Sequence, residues 1–287
     1  MESGMNRMYE IASHCLCICG EKLCNAVDGI PGFRPFLTDR TDPHFSFVEG
    51  SDIPEMTKLQ YSFTYEGITG EFGKYAEGFM LVLRPEIGES SFMWCRAGST
   101  VVELSGNLES RHLKFALWIG FGLMTLPYKT IAIHTSCIVY QDRAVLFLGE
   151  SGTGKSTHTR LWRESIEGAF LLNDDSPIIR VENGKLWAYG SPWSGKTPCY
   201  KNERYELKAC VRLSQAPHNR IVKLPVLRAY GAIHPSCPPE FAYDSSLYNH
   251  VGSIISDLLS NIPIYHMECL PDADAALLAH NTVFSAR

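Results

Sequence analysis

The sequence predicts an α/β (α+β) fold in two parts, a β-rich N-terminal unit at 1–107 and a second domain at 108–287 in which strands and helices alternate. Three observations carry this expectation. Before residue 107 short alternating runs are punctuated by Gly and Pro at the spacing of antiparallel strands. From Phe115 to Leu126 runs an apolar stretch that holds two glycines and stops at Pro127. From Thr130 a β-branched strand, a tight turn and a buried strand lead into the glycine-rich segment GESGTGKST and then a helix. A chain of 287 residues is long for one simple domain and ordinary for two.

In the first unit, Met8–Cys19 alternates as a strand. Further strands are expected at Leu59–Tyr65, Glu71–Phe72, Phe79–Arg84, Ser91–Cys95 and Thr100–Leu104. Asn107 or Ser110 can cap a helix from about Leu108 to Thr125. Its apolar half is too short for the roughly 20 residues of a membrane span and reads as a buried core helix. In the second domain, Thr130–Tyr140 and Arg143–Leu148 flank a turn at Gln141-Asp142, and Ser156–Glu164 is a helix. Ala169–Leu172 is an apolar strand. Ile178–Val181 and Lys185–Tyr189 flank Asn183-Gly184, a strong hairpin signal. Helices at Ser245–Ser260 and Asp272–His280 enclose a strand at Ile264–Cys269.

Composition excludes several classes. Apolar content of 45% and charged content of 20% are those of a globular protein, and the net charge is −5. No basic patch selects nucleic acid or an anionic membrane, so neither is expected as a partner. The ten cysteines contain no CxxC pair, which argues against a zinc knuckle. Cys15, Cys17 and Cys19 fall on one strand face, where neighbours are poorly placed to bridge. The N-terminal MESGMNRMYE lacks the pattern of a signal peptide. Reduced thiols in a cytoplasmic protein are the expectation. An oligomer is compatible with all of this.

The segment Gly149-Glu150-Ser151-Gly152-Thr153-Gly154-Lys155-Ser156 fits GxxxxGK[ST], the phosphate-binding loop. Glycines let successive backbone N–H groups curl toward phosphates. Lys155 supplies a point charge for the β- and γ-phosphates, and the Ser156 hydroxyl can ligate Mg²⁺. The helix that follows adds its positive N-terminal end. The pattern arises by chance in about 1% of chains this size at average residue usage. Here it also follows an apolar strand and opens a helix, as the motif requires. ATP with Mg²⁺ is therefore the expected ligand, gripped by Gly149, Ser151, Gly152, Thr153, Gly154, Lys155, Ser156 and Thr157.

Two hairpins bring further chemistry to this loop. A tight turn at Gln141-Asp142 makes the preceding strand antiparallel to the loop strand. His134 then falls opposite Gly149, where it can touch a phosphate or relay a proton. The Asn183-Gly184 turn sets Asp175 opposite Pro192, so the open end of that hairpin carries Asp174-Asp175 beside Ser191-Pro192-Trp193-Ser194-Gly195-Lys196. Successive strand residues point opposite ways, so two adjacent acids serve one site only if the strand ends at Asn173. One acid can then hold Mg²⁺ while the other takes a proton from an attacking hydroxyl. Lys196 is a candidate for neutralising a transferring phosphoryl group.

The strand bearing His134, the 15-residue gap to Gly149, GESGTGKS and Asp174-Asp175 together resemble the catalytic domain of bacterial HPr kinase/phosphorylase. The loop is also similar to that of ATP-dependent phosphoenolpyruvate carboxykinase, and SPWSGK and ELKACVRL resemble a separate sub-branch of the HPr kinase relatives. The resemblance spans roughly residues 128–200. It implies a mixed-sheet P-loop kinase core and ATP-dependent phosphorylation of a serine hydroxyl. Asp174 would be the base, Asp175 and Ser156 the metal ligands, and His134 a phosphate or proton contact. SPWSGK stands where that family carries a glycine-rich signature, and the N-terminal unit does not match, so HPr itself is not carried over as the acceptor. The leading reading is a kinase acting on a hydroxyl of a peptide, protein or small molecule. A nucleotide-dependent switch or scaffold without phosphotransfer is the first alternative. A phosphorylase or phosphatase running the reverse reaction is the second.

Overall fold

The computed structural model describes residues 5–195 and 197–285. Cα packing divides the chain into two units, Met1–Tyr128 with Pro239–Tyr248, and Lys129–Pro238 with Asn249–Arg287.

The first unit holds an eight-stranded sheet. In chain order its elements are β1 (Asn6–Ile11), β2 (His14–Cys19), α1 (Glu21–Asp28), β3 (Phe45–Glu49), β4 (Lys58–Tyr65), β5 (Ile68–Tyr75), β6 (Gly78–Pro85), β7 (Ser91–Arg96), β8 (Val101–Gly106) and α2 (Ser110–Thr125). The spatial order is β1-β2-β3-β8-β7-β6-β5-β4. The β2–β3 and β3–β8 pairs are parallel and the rest antiparallel, so the sheet is mixed. Helix α2 packs on β7 and β8 and falls within the first of the two units. Its two glycines are packing sites. A Cβ on Gly120 would lie 2.7 Å from the Phe47 ring, and one on Gly122 2.7 Å from the Phe241 ring. Among the described residues no helix is long and apolar enough to cross a membrane.

The expected strand Met8–Cys19 is instead a hairpin. It turns at Ala12 and Ser13, both with positive φ (51° and 61°), the geometry of a two-residue turn that matches strand twist. Cys17 and Cys19 do share a face, with their sulfurs 3.1 Å apart, and all ten cysteines are free.

The second unit holds a nine-stranded mixed sheet. Its elements are β9 (Thr130–Ala132), β10 (Ser136–Tyr140), β11 (Arg143–Leu148), α3 (Lys155–Ser165), β12 (Phe170–Asn173), β13 (Ile178–Glu182), β14 (Lys185–Tyr189), β15 (Arg204–Gln215), β16 (Arg220–Lys223), α4 (Val226–Ile233), the greater part of α5 (Ser245–Asn261) from Asn249 on, β17 (Ile264–Cys269) and α6 (Ala273–Ser285). The strand order is β12-β10-β11-β15-β14-β13-β9, with β17 joining β15 to β16. Gln141 and Asp142 both take positive φ and close the β10–β11 hairpin in the expected register, Ser136 opposite Phe147. The β13–β14 hairpin turns at Asn183-Gly184 with Ile178 opposite Tyr189, again as expected.

The single strand expected at Thr130–Tyr140 is broken. Its first half, β9, pairs with β13, and its second half, β10, pairs with β11 and β12. Residues 133–135 lie in the break. Beneath the loop, Val145 and Phe147 of β11, Trp162 of α3, Val211 of β15, Met267 of β17 and Ala275 and Ala279 of α6 form one buried cluster. That cluster fixes the end of β11 against the start of α3, and so fixes the loop between them.

Candidate active site

The segment Gly149–Gly154 joins β11 directly to α3. Gly154 takes a left-handed conformation (φ 99°) immediately before the helix, which only glycine adopts at little cost. No side chain caps α3. Its first-turn N–H groups have no intrahelical acceptors, and the positive end of the helix dipole lies with them. Those are the elements of an anion site. Thr153 turns its hydroxyl onto the Glu150 carbonyl at 2.8 Å, which holds the curl of the loop. Gln215, at the end of β15, donates its amide to the Gly152 carbonyl at 3.0 Å. Ser151 and Ser156 are exposed, and Thr157 is half-buried.

Lys155 is buried at 8% exposure. Its ammonium donates to the Gly149 carbonyl (2.7 Å), the Glu150 carbonyl (3.1 Å) and Nε2 of His134 (3.2 Å). Burial lowers its pKa, against the opposing pull of Asp175 and Asp174 and with the help of Arg212. An anion beside the ammonium would relieve that desolvation. Arg212 of β15 is a second cation at the loop, 3.6 Å from the Glu150 carboxylate and anchored on the Ala232 carbonyl at 3.2 Å.

His134 stands in the break between β9 and β10. Three consecutive backbone N–H groups are held there: Ile133 on the Pro177 carbonyl, His134 on the Ser236 carbonyl and Thr135 on the Asp175 carbonyl. The Thr135 bond sets His134 alongside Asp175. His134 Nδ1 lies 3.2 Å from Asp175 Oδ1. Only a neutral ring with its proton on Nδ1 makes both contacts hydrogen bonds, donating to Asp175 and accepting from Lys155. Asp175, His134 and Lys155 therefore form one chain leading to the loop.

The strand β12 ends at Asn173, as the two adjacent acids require. Asn173 is fully buried and builds the turn that follows. Its Oδ1 accepts from the Asp175 and Ser176 N–H groups (3.0 and 2.9 Å), and its Nδ2 donates to the Trp193 carbonyl (3.0 Å) and Ser191 Oγ (3.2 Å). One side chain thus ties the acidic pair to the Ser191–Gly195 segment. Gly195 lies close over the acids: a Cβ there would come within 3.0 Å of the Asp174 carbonyl and 3.2 Å of the Asp175 Cβ. Lys196 lies outside the described residues.

The two carboxylates differ. Asp174 is buried at 6% exposure; its Oδ1 accepts from Ser136 Oγ at 2.8 Å, while its Oδ2 is buried with no hydrogen-bond partner among the described residues. Asp175 is open, with its side chain 35% exposed. An unsatisfied buried carboxylate oxygen demands a cation or a donor. Among the described residues no cluster of three or more His, Cys, Asp or Glu could hold a metal unaided. Mg²⁺ needs none, since it binds through one or two carboxylates plus phosphates and water, and a carboxylate such as Asp174 with the Ser156 hydroxyl is the type of donor set it takes. A separate cavity of about 630 Å³ at the β13–β14 hairpin is filled with ion pairs, Glu182 bridging Arg180 and Arg204, and lies apart from these groups.

Sequence reasoning missed Asn173, Ser136, Arg212 and Gly195 as parts of the site. Asn173 stood in plain view before the acids, and its Asx-turn chemistry was the available signal. Nothing in the sequence marks Ser136 or Arg212, because each reaches the site through strand pairing.

No family model matches the sequence, and no curated protein matches it. Among solved structures the chain is similar to the Hpr(Ser) kinase/phosphatase from Coxiella burnetii, at 16% sequence identity, over 54% of this chain and 88% of that one, with a TM-score of 0.33. So remote a likeness leaves the activity to be argued from the residues themselves.

Proposed function

We propose that this chain is an ATP- and Mg²⁺-dependent phosphotransferase with a P-loop kinase core of the HPr kinase type, acting on a hydroxyl of a peptide, protein or small molecule. The observation that carries the reading is the convergence of Lys155, His134, Asp175 and the unpartnered Asp174 oxygen on one glycine-rich loop. A protein that only bound a nucleotide would need the loop and its lysine, but neither a second carboxylate nor a histidine joined to it.

In this proposal the loop N–H groups and Lys155 hold the β- and γ-phosphates, and Lys155 exchanges a carbonyl contact for phosphate oxygen. The metal would be held by Ser156 and one acid, and would supply charge neutralisation at the transferring group. The acceptor oxygen forms a bond to the γ-phosphorus as the bond from phosphorus to the β–γ bridging oxygen breaks, and ADP leaves. The proton of the acceptor hydroxyl passes to the other acid.

The family likeness gives the base to Asp174 and the metal to Asp175. The hydrogen bonding favours the exchanged assignment. Asp175 is solvent-accessible and oriented by His134 Nδ1 at 3.2 Å, so it can receive a proton from an acceptor hydroxyl. Asp174 is buried with a vacant lone pair, which suits a cation better than a mobile proton. Incubating the full chain with γ-labelled ATP and Mg²⁺ in a cell extract tests the proposal. Label on a protein, peptide or metabolite supports it, and ATP bound without transfer or hydrolysis would reduce the chain to a nucleotide switch.

A further inference from the structure

Three thiols meet in the first unit where β2 ends and α1 begins, those of Cys17, Cys19 and Cys24. The Cys24 thiol is committed to backbone: its Sγ lies 3.3 Å from the Met5 carbonyl and 3.3 Å from the Ile18 carbonyl. Cys17 and Cys19 turn to each other instead. Their sulfurs are 3.1 Å apart, with either able to donate. A disulfide needs about 2.05 Å between sulfurs, so an approach of about 1 Å closes the pair. Two strand steps span about 6.6 Å between Cα atoms, just inside the roughly 6.8 Å that a disulfide can bridge. The chain can give at one end of the pair. Cys17 is flanked by Met8 of β1 and Ser46 of β3. The pairing of β2 with β3 stops at Ile18, and Cys19, the last residue of β2, pairs with Asn6, the first residue of β1. Gly20 follows with φ 103° and leads into α1, a backbone setting open to glycine.

We propose that Cys17 and Cys19 form a redox-active dithiol, an oxidation site that a peroxide closes to a disulfide within β2. The inference is independent of the phosphotransfer reading. Burial divides the roles. Cys17 is 5% exposed, and burial, with the hydrogen bond to Cys19, pushes its thiol up to about 12, so it is the slower of the two toward an oxidant. Cys19 is half-buried and meets the oxidant first. Its sulfur takes the hydroxyl oxygen of hydrogen peroxide as the O–O bond breaks, which leaves a sulfenic acid and one water. The Cys17 sulfur then bonds to the Cys19 sulfur and displaces that hydroxyl, which leaves with the Cys17 proton as a second water. Two electrons pass from the sulfurs to one peroxide. The second step needs no encounter, because the two sulfurs are already in contact. Cys137 and Cys210 are the contrast: both are fully buried, and burial holds both thiols far above the ordinary range.

The test is peptide mass spectrometry on the full chain. The reduced protein is treated with hydrogen peroxide, remaining thiols are blocked with N-ethylmaleimide, and the tryptic peptide 8–22, which carries Cys15, Cys17 and Cys19, is weighed and fragmented. The unaltered protein should lose two hydrogens from this peptide, and fragment ions should place the bridge between Cys17 and Cys19. Dithiothreitol should return both thiols to alkylation. The pair should oxidise on the order of tenfold faster than Cys137 and Cys210. Cys15→Ser should keep the bridge. Cys17→Ser should leave Cys19 as a sulfenic acid that dimedone captures. If either variant fails to fold, the fragment ions of the unaltered peptide decide. Cys19 oxidised to sulfinic acid with Cys17 still alkylated would overturn the proposal. So would a bridge from either residue to Cys15 or Cys24, or a peptide left unchanged by peroxide that fully oxidises free glutathione in the same tube.

Discussion

Lys155 is the residue on which most of the site depends. Its ammonium is buried and fully engaged, so its removal empties a charged position without exposing a new apolar surface. Lys155→Ala should weaken ATP·Mg²⁺ binding by about 1.5–3 kcal/mol, the worth of a charged hydrogen bond, while circular dichroism stays unchanged. Unaltered affinity and turnover would remove the phosphate-loop reading. Asn173 is a positioning residue of the opposite kind. Asn173→Ala strips the acceptor from the buried Ser176 N–H and the part-buried Asp175 N–H, and the donors from Ser191 and Trp193. It should cost about 2–3 kcal/mol in denaturant unfolding, because buried groups are left unmade. It should also lower turnover at saturating ATP, as the acids lose their turn. Stability lost with turnover intact would show that Asn173 holds the fold and not the acids. At this scale the sequence was informative wherever a motif fixes both type and spacing, as at Gly149–Ser156. It was silent where a role depends on a partner far along the chain, as for Ser136 under Asp174.

The two hairpins are the elements whose register could be read in advance. Two-residue turns at Gln141-Asp142 and Asn183-Gly184 fix the register of each hairpin, but His134 and Asp175 lie beyond the paired strands and are held by backbone bonds, the His134 N–H on the Ser236 carbonyl and the Thr135 N–H on the Asp175 carbonyl. The hairpin at Ala12-Ser13 was hidden because Ala and Ser are unusual at positive φ. The β9–β10 break was hidden because Thr130–Tyr140 is continuously β-branched and apolar, and only pairing with two different partners divides it. Long β15, parallel to β11, had no local signature at all. Helix α3 adds a pH dependence of its own. His158 is buried beside Phe147 and accepts the Trp162 indole N–H at 3.1 Å; burial pushes its pKa down to about 4. The unfolded chain binds this proton near 6.5. The stability His158 contributes is therefore complete above pH 6.5 and lost as pH falls toward 4, up to about 3 kcal/mol. His158→Gln should flatten that part of the curve in denaturant titrations between pH 6.5 and 4. An unchanged slope would show that His158 is not held neutral.

The two units of the chain differ in composition of purpose as well as in sheet topology. The second carries every candidate catalytic group, and the first carries a buried acid with no assigned role. Glu240 is 3% exposed, its Oε2 has no hydrogen-bond partner among the described residues, and burial raises its pKa to about 7. Its sign is opposite to that of His158. A carboxyl whose folded pKa is raised contributes stability below its unfolded value, near 4.5, and loses it as pH rises through 7. Glu240→Gln should therefore become more stable relative to the unaltered protein as pH rises from 4.5 to 7, by up to about 3 kcal/mol, in paired unfolding curves. A constant difference across that range would contradict the buried-acid reading. The central claim is phosphotransfer, and the pair Asp174→Asn and Asp175→Asn tests it most directly, with ATP·Mg²⁺ binding measured beside the release or transfer of labelled γ-phosphate. The account predicts that both variants still bind ATP and that Asp175→Asn lowers transfer by about 10²–10⁴-fold, the usual worth of a general base, while Asp174→Asn weakens the Mg²⁺ dependence of binding. Phosphate transfer or hydrolysis that proceeds at the unaltered rate in both variants would contradict it.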